Sequence, residues 1–93
     1  MRTVKYTNRF KRDYRRESSG RHGKALDTLL TRTVELLAAD AELPRRYFDH
    51  ALKGKWKDHR DCHIRPDLVL IYRKPDDESL ELVRLGSHSE LGL

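Results

Sequence analysis

The sequence predicts an α+β fold in which an antiparallel, meandering sheet carries two N-terminal helices packed on one face. The first half of the chain has apolar residues at intervals of three and four, which is typical of amphipathic helices. After Gly54 the interval changes to two, which is typical of strands with one buried face. A chain of 93 residues has room for one small core, so we expect a single domain over residues 1–93.

The first half is predicted to contain one strand and two helices. Residues 1–6 follow the period-two alternation of a short strand. Thr7 or Asn8 can then cap a first helix, which ends in the Ser-Ser-Gly run at residues 18–20. A longer helix is predicted from Gly23 to about Ala39, and the leucines on its apolar face are expected to lie in the core.

The second half is predicted to contain a loop and three strands. Pro44 marks the loop, and Tyr47 and Phe48 are expected to pin it onto the body of the domain. Tight turns at Pro66-Asp67 and at residues 75–77 separate the strands. The strands themselves are predicted over residues 59–65, 68–72 and 80–85.

The alternation also assigns the side chains of these strands to two faces. Cys62 is predicted to face the helices, and so are Val83 and Leu85 of the last strand. The opposite face then carries His63 and Arg84. We therefore expect a functional site on the face of the sheet that the helices leave open.

The formal net charge of +5 is unevenly distributed along the chain. Residues 1–24 carry nine Lys or Arg but only two acidic residues, Asp13 and Glu17. This asymmetry favours an anionic partner such as nucleic acid, and a cationic surface that only maintains solubility is the alternative. Because 38% of the residues are charged and 37% are hydrophobic, a large apolar cavity is not expected.

Cysteine usage and hydropathy predict a cytoplasmic protein. The single cysteine, Cys62, cannot form an internal disulfide, and no apolar stretch is long enough for a signal peptide or a membrane span. Cys62 is expected to be a small core residue, with a nucleophilic role as the minor alternative. No membrane contact is expected.

Histidines and cations are concentrated between His50 and Ile71, and His88 follows close behind Arg84. Histidine can give or take a proton near neutral pH, and Arg or Lys can bind a phosphate. RNA can be cut without a metal when its own 2′-hydroxyl attacks phosphorus, provided that a base, an acid and a cation are present. The composition of this stretch therefore suits phosphate-ester chemistry.

A zinc site is the alternative use of these side chains. His59, Asp61 and His63 alternate on one side of a predicted strand and could converge on a metal. Zinc sites usually need three or four supported ligands, and the chain has neither a cysteine pair nor a helical His-Glu-x-x-His motif. The prediction is therefore a site without metal or other cofactor.

Three segments resemble the RelE-like ribonuclease toxins of bacterial type II toxin–antitoxin modules, and among them the YafQ branch. They are DHALKGKWK at 49–57, RDCHIRPDLVLIY at 60–72 and RLGSHSEL at 84–91. The resemblance implies the order strand, two helices, three strands and a short tail. It also implies cleavage of mRNA in the ribosomal A site and silencing by a cognate antitoxin, which we expect to be a DNA-binding protein of the ribbon-helix-helix type.

The resemblance also implies roles for individual residues. His63 and His88 are expected to be the main acid and base, in an order that the sequence leaves open. Asp67 would set the charge or tautomer of a histidine, with an ordinary turn residue as the alternative. His50 would touch the substrate, or else pack in its loop, and Arg84 would hold the phosphate with its planar fork.

Further cations are predicted to contact RNA, namely Lys53, Lys55 and Arg65. Trp56 is expected to anchor the core or a strand edge rather than to stack on a base. One departure from the resemblance concerns Gly92, because the family commonly has phenylalanine there and glycine cannot stack on a base. The alternative function is accordingly non-catalytic: a basic RNA- or ribosome-binding module, or an inactive relative that only pairs with an antitoxin.

Overall fold

The computed structural model describes all 93 residues and contains a five-stranded sheet with three α-helices. The elements follow in the order β1 (Thr3–Tyr6), α1 (Asn8–Ser18), α2 (Gly23–Ala38), β2 (His50–Ala51), β3 (Arg60–Arg65), β4 (Leu68–Arg73), β5 (Ser79–Gly86) and α3 (His88–Leu91). Two 3-10 turns, Arg45–Tyr47 and Gly54–Trp56, flank β2. The predicted α+β class is confirmed, and β2 and α3 are additions to it.

Local signals explain where the two long helices lie. Thr7 caps α1 by accepting a hydrogen bond from the backbone N–H of Phe10 at 3.0 Å, as its position before the helix predicts. Leu26, Leu30 and Leu37 bury the apolar face of α2 against the sheet. None of the helices has the length and apolar character needed to cross a membrane.

The sheet has the strand order β1-β5-β4-β3-β2 and is mixed. Strands β2 to β5 form an antiparallel meander, whereas β1 pairs with β5 in parallel, with Val4 opposite Leu80. The expectation of a wholly antiparallel sheet was therefore wrong. Helices α1 and α2 carry the chain across one face of the sheet, so β1 lies at the edge opposite β2. The direction of β1 could not be predicted, because side-chain alternation is the same in parallel and antiparallel strands.

The two faces of the sheet differ in depth of burial. The main core lies between the helices and the sheet and includes Cys62, Leu80, Leu82 and Leu85. The opposite face has a smaller apolar cluster in which Val69, Ile71 and Leu91 are buried, with Leu52, Trp56 and Val83 packed around them. The core positions predicted for Cys62 and Leu85 are confirmed, and Trp56 is an anchor of the smaller cluster.

A β-bulge at Val83 changes which residues of β5 face the core. Leu80 and Leu82 lie in the main core, so Val83 after them faces the open side. Ile71 pairs with Arg84 and Tyr72 pairs with Leu82, so Val83 is an extra residue in β5. Strict alternation had assigned Val83 to the main core, and that assignment was wrong. The extra residue restores Leu85 to the core face while Arg84 stays on the other.

The loop before β2 holds Tyr47 and Phe48 in opposite environments. Tyr47 is buried in the main core and pins the loop as predicted. Phe48 is 65% exposed, so the expectation that it also packs on the domain was wrong. Its backbone is in the left-handed region, with φ 47° and ψ 41°, which turns the chain sharply into β2.

Candidate functional site

Three histidines reach the open face of the sheet from three different elements. His63 lies in the middle of β3, and β2 pairs with β3 so that His50 stands opposite Asp61. His88 is the first residue of α3, directly after β5. The fold therefore gathers, on one surface, residues that are separated by up to 38 positions in the sequence.

Helix α3 holds His88 in place through a cap and an apolar anchor. Ser87 accepts a hydrogen bond from the Glu90 backbone at 3.2 Å, and the Glu90 carboxylate accepts one from the Ser87 backbone at 2.9 Å. This reciprocal capping box fixes the first turn. Leu91 is buried against Val69 and Ile71, so the helix cannot turn away from the sheet.

The rings of His63 and His88 meet edge to face. Their centroids are 4.9 Å apart, with an interplanar angle of 66°. Partial burial lowers the pKa of His63 below the usual histidine value, and the neighbouring charge of His88 lowers it further, against the opposing effect of Asp61. The His63 imidazole is therefore neutral and able to accept a proton at neutral pH.

Asp61 is a buried carboxyl group beneath these histidines. It is 1% exposed, and no hydrogen bond is aligned with its Oδ1 atom. Burial raises its pKa, while His50, His63 and His88 act in the opposite direction when they are protonated. The sequence had offered Asp61 only as a zinc ligand, although its alternation with His63 on β3 was the signal that places the two side chains on one face.

His50 is oriented by two acceptors at the same ring nitrogen. Its Nδ1 atom is 2.8 Å from the carbonyl oxygen of Phe48 and 3.1 Å from Oδ1 of Asp61. Only the contact with Phe48 has hydrogen-bond geometry, and the contact with Asp61 is a close charge contact. Because both partners are acceptors, Nδ1 carries the proton, which leaves the lone pair of Nε2 free for a substrate.

Asp67 does not contact the three histidines. Its carboxylate forms ion pairs with Arg21 and with Nε2 of His22, the latter at 3.2 Å. The turn between β3 and β4 brings Asp67 to the connection between α1 and α2, away from the face that carries His63. The carboxylate whose charge acts on His63 is Asp61.

Arg84 uses most of its fork inside the protein. Its Nε and Nη2 atoms donate to the two carboxylate oxygens of Asp13 at 2.7 and 3.2 Å. Asp13 also accepts from the backbone N–H of Leu85 at 3.0 Å and from Arg16 at 3.0 Å. Although burial opposes it, the hydrogen bonds from Arg84 and Leu85 and the charges of Arg84 and Arg16 hold the pKa of Asp13 below its usual value.

The remaining cations predicted to contact RNA are exposed on the surface. Lys53, Lys55 and Arg65 take part in no ion pair, so their charges are available. Lys55 lines a surface hollow together with Trp56 and Arg84 beside α3. Lys53 and Lys55 follow β2 in the chain, and Arg65 is the last residue of β3.

The structure does not assemble the zinc site considered from the sequence. His59 turns away from β3: its Nδ1 atom is 3.0 Å from the carbonyl oxygen of Lys57 and its ring lies 5.4 Å from Trp56. No three His, Cys, Asp or Glu side chains of the chain converge closely enough to hold a metal ion.

Residues 2–92 match the sequence model of a family described as a bacterial toxin of type II toxin–antitoxin systems, YafQ. The chain belongs to the YafQ family. The YafQ mRNA interferase toxin of Escherichia coli strain K12 is similar to this chain, with 36% identity over 91 residues, which are 98% of this chain and 96% of that protein.

Solved structures place the chain in the same YafQ-like fold. A copper-bound mutant toxin from Helicobacter pylori superposes with a TM-score of 0.83 and 36% identity, covering 98% of this chain and 99% of the other. The YafQ chain of the E. coli DinJ–YafQ complex superposes with a TM-score of 0.79 and 31% identity, covering 98% of each chain. The fold and the toxin family are thereby established, as the sequence resemblance implied.

Proposed function

We propose that this chain is an mRNA interferase: an endoribonuclease that cleaves messenger RNA at the ribosome without a metal ion. Its E. coli relative is named an mRNA interferase toxin. The observation that carries the proposal is the pair of rings His63 and His88, 4.9 Å apart above the buried Asp61. Two imidazoles at this separation can reach the two oxygen atoms on either side of one phosphate.

The proposed reaction is an internal transfer at phosphorus. A base takes the proton from the ribose 2′-hydroxyl, and the freed oxygen attacks the adjacent phosphorus. The bond from phosphorus to the 5′-oxygen breaks as an acid protonates that oxygen. The products are an RNA end with a 2′,3′-cyclic phosphate and a second end with a free 5′-hydroxyl.

We assign His63 as the base and His88 as the acid. The lowered pKa of His63 supports the first role, because a base has to be unprotonated before it acts. His88 is exposed and its ring lies 4.9 Å from that of His63, so it can reach the leaving oxygen of the phosphate on which His63 acts. Asp61 is a positioning residue: its charge would stabilise the imidazolium that forms at His63.

His50 and the surface cations complete the proposed substrate contacts. Nε2 of His50 is free to accept a hydrogen bond from the ribose or to share in proton transfer. Lys53, Lys55 and Arg65 would attract the phosphates of the RNA strand. Arg84 uses the N–H of Nε and one N–H of Nη2 on Asp13, so its main contribution would be to hold β5 and the start of α3 in place through Asp13.

No step of this mechanism is assigned to a metal. The Helicobacter pylori relative is described as copper-bound. The side chains of the present chain form no group of three or more metal-ligating residues. The acid, the base and the cations are all supplied by the protein, so we expect cleavage to continue in EDTA.

The test of this function is cleavage by His63→Ala and His88→Ala. Each change removes a proton-transfer group, so cleavage should slow by roughly a hundredfold to ten-thousandfold. His59→Ala is the matched control, because His59 lies directly before β3 but its ring is outside the histidine cluster. Cleavage of programmed ribosomes, with and without EDTA, measures the rate, and analysis of the new RNA ends identifies the cyclic phosphate.

Two results would overturn the proposal. Wild-type rates in both histidine variants would show that these rings are structural, and loss of activity in EDTA with recovery on addition of zinc would assign the chemistry to a metal. If expression of the wild type did not arrest growth or cut RNA at all, the chain would be a binding protein rather than an enzyme.

We propose further that a cognate antitoxin binds across the basic surface of α1. The E. coli relative has been solved in complex with DinJ. The exposed cations of α1, which form no ion pairs, support an acidic or amphipathic partner segment: Arg9, Lys11, Arg12 and Arg15. Affinity should fall as salt rises, because exposed charges are screened over about 10 Å at 0.1 M ionic strength. Between 0.05 and 0.5 M salt the screening length shortens by about threefold. Affinity that stays constant over this range would indicate an apolar interface instead.

A further inference from the structure

Phe48 is the most exposed aromatic side chain of the protein and lies beside the histidine cluster. It is 65% exposed, compared with 52% for Tyr6, the next most exposed aromatic ring. Its ring centroid is 5.4 Å from that of His63, with an interplanar angle of 50°. An aromatic ring this exposed buries little apolar surface, so its position is not explained by packing.

The backbone at Phe48 is also unfavourable for a bulky residue. Its φ of 47° and ψ of 41° lie in the left-handed region, where a side chain with a Cβ atom is crowded by the chain. Glycine or asparagine would fit this conformation better. Backbone strain at an exposed aromatic residue next to a reactive group points to a use for the ring itself.

The surroundings of Phe48 suit a nucleotide. Arg45 and Arg46, in the 3-10 turn that precedes it, form no ion pairs. The guanidinium of Arg46 lies over the ring of Tyr47, 5.1 Å from its centroid, and its charge is not neutralised by a carboxylate. Together with Phe48 the two arginines line a hollow between the end of α2 and the edge of the sheet, in which five Lys or Arg side chains outnumber the three carboxylates of Glu42, Asp49 and Asp58. The carbonyl group of Phe48 accepts the hydrogen bond that orients His50. A single residue thus connects a cationic hollow to two of the histidines.

The opposite side of the cluster cannot provide a stacking ring. Gly92 has a φ of 72° and closes α3, a conformation that side chains rarely adopt. A Cβ atom built there would come within 3.3 Å of Nζ of Lys55. The position where the family commonly has phenylalanine therefore lies beside a lysine ammonium group in this chain, and the exposed phenyl ring at the cluster is that of Phe48, on the β2 side.

We infer that Phe48 is the platform on which a base of the RNA substrate stacks, while Arg45 and Arg46 contact the phosphates beyond it. This inference rests on the proposed function for its substrate class. Stacking on an aromatic ring is tolerant of base identity, because every base has a π-face. The strand would then enter past the cationic hollow, stack at Phe48 and place the next phosphate above His63 and His88.

The test compares Phe48→Leu with Phe48→Tyr. Leucine keeps an apolar side chain under the same backbone constraint but has no ring, and tyrosine keeps the ring. The probe is a short RNA with 2′-O-methyl riboses, which cannot be cut, and one central 2-aminopurine, whose fluorescence falls when it stacks. Tyr6→Leu is the control for loss of an exposed ring far from His63, on the edge strand β1.

Phe48→Leu should weaken binding of the probe about fivefold to a hundredfold and abolish the quenching of 2-aminopurine, and Phe48→Tyr should restore both. In cleavage assays the same loss should raise KM and leave kcat nearly unchanged, because stacking is present in the bound substrate and in the transition state alike. A purely structural effect on His63 would instead lower kcat and displace its pH profile.

Three outcomes would overturn the inference. The first is equal probe affinity of Phe48→Leu and wild type, and the second is absence of quenching by wild type. The third is loss of antitoxin affinity in Phe48→Leu while RNA binding stays intact, which would assign the ring to a protein interface. Probe binding does not require cleavage. A wild type that binds and quenches the probe but never cuts RNA would contradict the proposed function while supporting the stacking site.

Discussion

Two buried carboxylates in this protein have opposite surroundings. Asp13, between α1 and β5, is held by Arg84, Arg16 and the backbone of Leu85, and its pKa is lowered. Asp61, on the open face of the sheet, has no hydrogen bond aligned with its Oδ1 atom, and its pKa is raised. Both side chains are almost completely buried, so burial alone does not explain the difference.

The two carboxylates differ in the number of hydrogen-bond partners, and this difference predicts which one supports stability and which one supports activity. A carboxylate that is fully paired is stabilised as an anion and contributes to the fold. A buried carboxylate whose only neighbours are titratable histidines is less stable as an anion. Its negative charge stabilises the protonated form of each of those histidines. We therefore expect Asp13 to matter for stability and Asp61 for activity.

The largest effect is expected for Asp13→Ala. It leaves the guanidinium of Arg84 buried and unpaired, and breaking a buried pair by removing one partner costs roughly 3–5 kcal/mol of unfolding free energy. The measurement is urea denaturation at neutral pH. Asp77→Ala is the control, because Asp77 is exposed in a turn and forms no ion pair, and it should change the unfolding free energy by less than about 0.5 kcal/mol.

The effect of Asp13→Ala should also depend on pH in a defined direction. Because the folded pKa of Asp13 is lowered, its contribution is present above the pKa of the unfolded chain, about 3.9, and is lost as pH falls through the folded value. Wild type and variant should therefore converge in acid. Equal stability of the two proteins at neutral pH would show that the pair with Arg84 is dispensable.

Asp61→Asn should have an intermediate effect, on activity rather than stability. Loss of the positioning charge should slow cleavage by roughly tenfold to a hundredfold, the range typical of groups that support a reactive side chain. Because the folded pKa of Asp61 is raised, ionisation of this carboxyl group destabilises the folded protein at pH values above the usual pKa of aspartate. The thermal midpoint of Asp61→Asn at neutral pH should therefore equal or exceed that of wild type.

The comparison would fail if Asp61→Asn unfolded as easily as Asp13→Ala. Circular dichroism melts at neutral pH and near pH 4 distinguish the cases. The gain in stability should shrink in acid, because wild-type Asp61 is then protonated and neutral like the asparagine.

The smallest effect is a pair of opposite shifts in the pKa of His63. Replacing His88 with alanine removes a neighbouring positive charge and should raise the pKa of His63, whereas Asp61→Asn removes a negative charge and should lower it further. Titration of the His63 ring protons by NMR, in wild type and both variants, measures these shifts. Shifts in the same direction would contradict the arrangement of charges around His63.

The sequence predicted the helices and strands that are long enough to show a clear hydrophobic periodicity, and it predicted the face on which their histidines lie. The leucine spacing of α2 and the alternation of β3 placed His63 on the open face, as observed. The partner of the histidines was assigned to Asp67, whereas Asp61 is the carboxylate beside them. The alternation of Asp61 with His63 along β3 already carried that information, whereas the position of His50 opposite Asp61 depends on β2, a two-residue strand that is too short to leave a pattern in the sequence.

Other features depended on packing between distant segments. The pairing of Arg84 with Asp13 joins residues 71 positions apart, so no local motif indicates it. The bulge at Val83 puts two consecutive residues, Val83 and Arg84, on the open face, which strict alternation does not allow. The left-handed turn at Phe48 is unusual for an aromatic residue, and propensity therefore favoured a packed side chain there.

The parallel pairing of β1 with β5 has a consequence for the synthesis of this protein. Val4 cannot find its partner, Leu80, until the ribosome has made the chain past that residue, and this closure over 76 residues is entropically slow. His88 and its anchor Leu91 are added later still. A nascent or interrupted chain that stops before Ser79 therefore has neither a closed sheet nor a complete set of histidines, and we expect it to lack the proposed cleavage activity.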